Sequence, residues 1–144
     1  QQLRNVLVTR EIIEPEVAAL AARNAAEEHL SAMRAVLEEM DRLTAEGKSM
    51  AATDGPFHME IAKASGNPVL ETIMRMIRTD QDYSPEIEYI IHSFLRKVPS
   101  DHWSIYKAIE ERNSEKARKL MKRHIQNLIT KLDNYERGSA KGGV

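Results

Sequence analysis

Three histidines and one aspartate sit at the inward register of three separate helical stretches, so a fold that honours those stretches must gather four polar side chains in its core. Asp54 and His58 lie in Thr53-Asp54-Gly55-Pro56-Phe57-His58, His102 in Asp101-His102-Trp103, and His124 in Lys122-Arg123-His124-Ile125. Asp54 and His58 are one helical turn apart, so both side chains can leave the same face and reach one point. His102 and His124 each fall on the apolar stripe of their own segment. Polar groups in a dry core are costly unless something pairs them. One divalent cation makes sense of all four, because it turns them into ligands. Imidazole with carboxylate suits zinc first, with nickel, manganese or iron as further candidates, and four protein ligands leave positions open for water or an exogenous group.

The rest of the chain is written in helix formers. Ala, Leu, Glu, Lys, Arg and Met dominate. Only five prolines and six glycines occur in 144 residues, and alternating β-branched runs are missing. The expectation is one all-α domain, an antiparallel bundle of six to seven helices joined by short loops around a central metal or ligand cavity. A first helix over residues 3–24 has Ile12, Ile13, Val17, Leu20 and Ala21 at helical period, with Pro15 expected to kink it. A second runs through His29, Met33, Val36, Leu37, Met40 and Leu43 to Gly47, a good residue just past a helix end. The third covers residues 49–65 and stops at Ser65-Gly66-Asn67-Pro68, and the fourth covers 69–80. A loop at 82–85 and a short helix over 85–96 are expected next. Ser100 or Asp101 caps a helix through His102, Ile105, Tyr106 and Ile109. Ser114 is expected to cap the last one, with Ala117, Leu120, Met121, His124, Ile125, Leu128 and Leu132 inward. The ordered domain is expected to span 1–137, with 138–144 as a small, polar, disordered tail.

Composition also excludes. With 21 Lys+Arg against 22 Asp+Glu, the formal net charge is -1, and nothing supports nucleic-acid binding by this segment itself. No cysteine is present, so disulfides and thiolate-bound zinc are both ruled out. No apolar run approaches the roughly 20 residues of a membrane helix, and no signal-peptide pattern opens the chain. No membrane partner and a cytoplasmic location are the resulting expectations.

Three further places bear on the site. Arg10 sits one turn before Glu14; that spacing is usually a surface ion pair, the alternative being an inward arginine that grips a ligand carboxylate through its fork. His29 lies among Glu27, Glu28 and Ser31, where a solvated role is expected, while His92 after Ile90-Ile91 can face either way. Gly55-Pro56 leaves two options for Asp54, because the residue before proline is pushed from helical geometry: an N-cap, or a ligand on a helix that begins there.

Taken in order, these segments resemble the C-terminal effector-binding domain, often called the FCD domain, of the FadR subgroup of GntR-type bacterial transcription regulators. The resemblance covers nearly the whole chain. It is carried by Arg10-Glu11-Ile12-Ile13-Glu14-Pro15 with Ala18-Ala19-Leu20-Ala21-Ala22, by Asp54-Gly55-Pro56-Phe57-His58, by Ile61-Ala62-Lys63-Ala64-Ser65-Gly66-Asn67-Pro68, by His102-Trp103-Ser104-Ile105-Tyr106-Lys107-Ala108-Ile109, and by Ala117-Arg118-Lys119-Leu120-Met121-Lys122-Arg123-His124. It implies an antiparallel helical bundle that forms a homodimer. It implies a divalent metal held by Asp54, His58, His102 and His124. It also implies a small carboxylate effector, an organic or sugar acid, on or beside the metal, with Arg10 helping to bind it. Gly55-Pro56 is an unusual filling of the Asp-x-x-Phe-His spacer. The family's N-terminal winged-helix DNA reader is absent from this chain and is expected upstream, so DNA would be a partner only through that missing domain.

The function expected is that of an effector sensor: a metabolite carboxylate bridges metal and Arg10 and shifts the placement of dimer partners, changing the DNA affinity of an attached winged-helix domain. The alternative is a metal-dependent, hydrolase-like enzyme. That would need a general base near an activated water, and Glu60, Glu110 and Glu111 fall off the inward stripes or beside them. A third reading is a dimerisation module whose histidines are core filler.

Overall fold

The computed structural model describes residues 2–79 and 100–142. Six helices account for them: α1 Gln2–Asn24, α2 Glu27–Ala45, α3 Ala51–Ala64, α4 Pro68–Thr79, α5 Ser100–Glu110 and α6 Ser114–Lys141. The short helix expected over 85–96, the loop before it and His92 all lie outside the described residues. No strand occurs among the described residues, and none of their helices is long and apolar enough to cross a membrane.

Paired side chains give the helix directions. Arg4 bonds Asp133, Gln126 bonds Glu11, and Arg118 bonds Glu16, so α1 and α6 run antiparallel over most of their lengths. Glu14 meets His58 and Asn24 meets Ser65, which sets α1 and α3 in the same sense with α2 as the return helix. Arg78 reaches back to Asp54, so α4 folds down along α3. Trp103 at the start of α5 bonds Asp41 on α2. The apolar faces close on one core that includes Leu7, Val17, Met33, Leu37, Phe57, Ile61, Met74, Ile105, Ile109, Met121 and Ile125. Burial of each such side chain contributes on the order of 1.5–3 kcal/mol.

Helix ends follow local chemistry. Gly47 and Gly66 take positive φ, 70° and 72°, just past α2 and α3, where a side chain would be strained. Asn67 then accepts hydrogen bonds from the amides of Val69 and Leu70 at 3.0 and 3.2 Å, which starts α4 with Pro68 in its first turn. The final helix starts differently from expectation: its N-cap is Asn113, whose side chain accepts from the Lys116 amide, and not Ser114. Both residue types cap well, so only the turn geometry distinguishes them.

Other expectations need correction. Asp54 is not an N-cap; Met50 holds that place, and Asp54 lies in the first turn of α3 with Pro56 inside the helix. Proline near a helix start forfeits only one backbone bond, so the helix tolerates it. Pro15 likewise sits inside an α1 that stays helical from end to end. Ile12, assigned to the inward stripe, is 70% exposed. The buried stripe of α1 is instead Leu7, Arg10, Glu14, Val17, Ala18, Ala21 and Ala22, which carries two charged residues where apolar ones would be expected. Finally, α6 continues through Gly138 to Lys141 rather than ending before a disordered tail. Extending an existing helix fixes one residue per hydrogen bond, and a lone glycine opposes it by only about 1 kcal/mol.

Candidate metal centre and its charged surround

The helices deliver four polar side chains to one point. Asp54 and His58 project from α3, His102 from the first turn of α5, and His124 from the middle of α6, and all four are buried. One potential ligand atom from each lies within 4.8 Å of every other. Ligand atoms on one zinc ion, at bonds of about 2.1 Å, stand no more than about 4.2 Å apart. The cluster is therefore within a small side-chain adjustment of holding an ion. The rings of His58 and His124 stack with centroids 5.4 Å apart, and those of His102 and His124 meet edge-on at 4.7 Å. Phe57 closes one side, edge-on to His58 and His102 at 5.7 and 5.1 Å. The apolar ring packs against both imidazoles on that side.

Hydrogen bonding within the cluster is incomplete, and this decides whether a cation fits. Asp54 Oδ1 lies 3.0 Å from His102 Nε2 and 3.5 Å from His58 Nε2, and its Oδ2 accepts from Arg78 at 2.9 Å. His58 Nε2 and His102 Nδ1 are buried and have no hydrogen-bond partner. Buried polar nitrogens left so cost about 1–3 kcal/mol each. Burial, followed by the neighbouring His102 and His58, pushes the His124 imidazole well below its usual range, so it is neutral and has a lone pair to offer. Burial alone would raise the Asp54 carboxyl. The neighbouring His58, the hydrogen bond from His102, and Arg78 together hold it well below the carboxylate range, so it is an anion. An anionic oxygen beside imidazoles with unused nitrogens is a donor set suited to a divalent ion.

Around these four lies a ring of buried charge that spacing within single helices does not reveal. Arg10 is buried at 2% exposure and ion-pairs with Glu14 one turn later, also at 2%. The expected Arg10–Glu14 pair therefore exists, but inside the bundle and not on its surface. Glu14 Oε1 lies 2.6 Å from His58 Nδ1. Arg78 lies 3.9 Å from that oxygen through Nη1, and its Nη1 and Nε are buried without a hydrogen bond. Burial would raise the Glu14 carboxyl, yet Arg10, then His58 and Arg78, keep it far below the ordinary range. Desolvation, opposed by Glu14, lowers Arg10 from its usual value. The signal for Glu14 was its spacing from Leu7, Arg10 and Val17, and for Arg78 its place one turn after Met74.

The remaining candidates lie apart from this cluster. His29 is half-buried, and its Nδ1 accepts from the Ala26 amide at 3.0 Å, where it helps start α2. Glu110 accepts from the Tyr106 hydroxyl, and Glu60 pairs with Lys63. Glu14 is the one additional carboxylate at the cluster among the described residues. Held as an anion by two guanidiniums and His58, it is a weak proton acceptor, so the described residues place no strong general base at the cluster.

With that geometry in view, comparison with known proteins is informative. Residues 5–127 match the model of the family described as the FCD domain. The HTH-type transcriptional regulator LutR of Bacillus subtilis is 26% identical over 140 residues, covering 94% of this chain and 64% of that protein. The Uxu operon regulator of Haemophilus influenzae is 24% identical over 133 residues, covering 88% of this chain and 50% of that protein. The chain thus spans between half and two thirds of the length of these relatives. Among solved structures, Streptococcus agalactiae GntR superposes with a TM-score of 0.73 at 24% identity, covering 88% of this chain and 57% of the other. E. coli McbR/YncC gives 0.78 at 20% identity, covering 93% and 69%. Both structural likenesses support the helical fold. Both sequence relatives are named as regulators and neither as an enzyme.

Proposed function

This chain belongs to the FCD domain family, and from that premise we propose that it is the effector-sensing part of a bacterial transcription regulator of the FadR subgroup. In this reading Asp54, His58, His102 and His124 hold one divalent ion, zinc first, and a small carboxylate binds at that ion with help from Arg10. The observation that carries the proposal is the buried Asp-His-His-His cluster with two imidazole nitrogens left without partners. The ion supplies a positive centre and open coordination positions.

Charge supports an acidic effector. Arg10 and Arg78 offset Glu14 and Asp54, so with neutral imidazoles a divalent ion leaves the site net positive. A buried site of that balance favours an anion and disfavours a neutral analogue of the same shape. The winged-helix domain that would read DNA, homodimer formation and a cytoplasmic location belong to the same proposal. Regulation follows if the acid binds two arrangements of the dimer unequally. Light scattering should return a dimer mass; a monomer would remove the arrangement on which that coupling depends.

Arg10 provides the specific test. Lysine keeps the charge but cannot reproduce the fork. Arg10→Lys should weaken carboxylate binding about 10- to 100-fold, the value of one to two charged hydrogen bonds, while zinc still binds at saturating concentration. Titration calorimetry with hydroxy acids and sugar acids, with and without zinc, reads both. Equal affinity in wild type and variant removes Arg10 from the site, and binding indifferent to zinc refutes the joint mechanism.

A further inference from the structure

Neither Glu14 nor His58 reaches solvent, and their contact is short, 2.6 Å from Glu14 Oε1 to His58 Nδ1. An ionised carboxylate can only accept, so the hydrogen of this bond belongs to Nδ1. In a neutral imidazole the other nitrogen then carries a lone pair and no proton. That nitrogen, Nε2, faces the cluster, lies 3.5 Å from Asp54 Oδ1, and has no hydrogen-bond partner. The opposite tautomer would put a hydrogen on Nε2 and close it to an ion. Glu14 therefore decides which nitrogen of His58 the centre receives.

Glu14 is itself held in place. Arg10 Nε binds its Oε2 from one turn earlier on α1, and Arg78 approaches Oε1 from α4. Fixed on both sides, the carboxylate cannot swing away from the imidazole. Outer hydrogen bonds of this kind orient a ligand ring and raise its basicity.

We propose that Glu14 is the positioning residue of the metal centre: it contributes no ligand, but locks His58 as the Nδ1–H tautomer with Nε2 presented to the ion. This rests on the metal-binding reading above and adds to it a role for α1. Because Arg10 grips the other oxygen of the same carboxylate, an acid that engages Arg10 acts on the group that sets a ligand of the ion. The site is thereby a three-part device: effector contact, positioning carboxylate and ligand imidazole lie in sequence from α1 to α3.

The test has two parts. Nitrogen-15 spectra of the metal-free wild-type protein, at mildly alkaline pH, should show His58 with a protonated Nδ1 and an unprotonated Nε2. Zinc affinity, from competition with a chromophoric chelator, should fall about 10- to 100-fold in Glu14→Gln, which keeps an acceptor oxygen but loses the charge. Glu38→Gln, which disturbs only the exposed Arg34 pair on α2, should leave it unchanged. A protonated Nε2 on His58 in the wild type overturns the proposal whether or not the variant folds. Equal zinc affinity in wild type and folded Glu14→Gln overturns the role of Glu14 alone. A wild type that binds no zinc overturns the metal reading and the positioning role together.

Discussion

His102→Ala and His124→Ala should each cost more metal affinity than the roughly 10- to 100-fold that follows loss of an outer hydrogen bond to a ligand. Each removes one of the four donors, and His124 comes from a different helix than His102, so no neighbouring side chain on the same turn can replace it. Stability should follow occupancy. An ion bound only by the folded chain adds about 2.7 kcal/mol at a hundredfold excess over its Kd. For a domain of this size that corresponds to a Tm shift on the order of 5–10 °C. Chelation should therefore lower the wild-type Tm by that amount and leave both variants nearly where they were. Full metal retention in both variants, or a wild-type Tm indifferent to chelator, would count against the site.

The second large effect concerns the buried pair beneath the centre. Glu14→Ala should destabilise by about 3–5 kcal/mol, because it removes the buried carboxylate that pairs with Arg10 and leaves Arg78 to its pair with Asp54. A joint Arg10→Met and Glu14→Leu change removes charge of both signs and fills similar volume. It should cost much less than the single substitution, since two desolvated ions are replaced by apolar packing. The double variant should at the same time lose acid binding and weaken zinc. Denaturant unfolding of both proteins measures the contrast. A double variant at least as unstable as Glu14→Ala would show that the pair stabilises the fold outright and is not retained for the site.

Much of this is legible in the sequence, for a physical reason. A residue at helical period on an apolar stripe has nowhere to go but the core, so His102, flanked by Ile105 and Ile109, and His124, flanked by Met121 and Ile125, could be placed inward from spacing alone. Asp54 and His58 followed from being one turn apart. The all-α class followed from helix formers and the lack of alternation. Less legible was α1. There two charged residues occupy the inward stripe, and the exposed Ile12 beside the half-buried Ile13 offers a competing apolar face, so apolar periodicity alone rotates the helix and turns Glu14 to the surface. Arg78 was missed because a lone arginine near a helix end has no sequence partner; its partners are brought to it by α3 and α1. Ion pairs between elements depend on tertiary placement, which spacing within one helix does not encode. The Asn113 cap and the continuation of α6 past Gly138 depend on turn geometry and on propagation from an existing helix, and both are weak signals in sequence.

The central claim is that one ion organises this core. Native mass spectrometry with elemental analysis, on protein purified without chelator and after zinc addition, tests it most directly. The account predicts one divalent ion per chain in the wild type, retained under native conditions and lost with His102→Ala. A wild-type chain that stays metal-free in excess zinc, with its fold and stability unchanged, would contradict it.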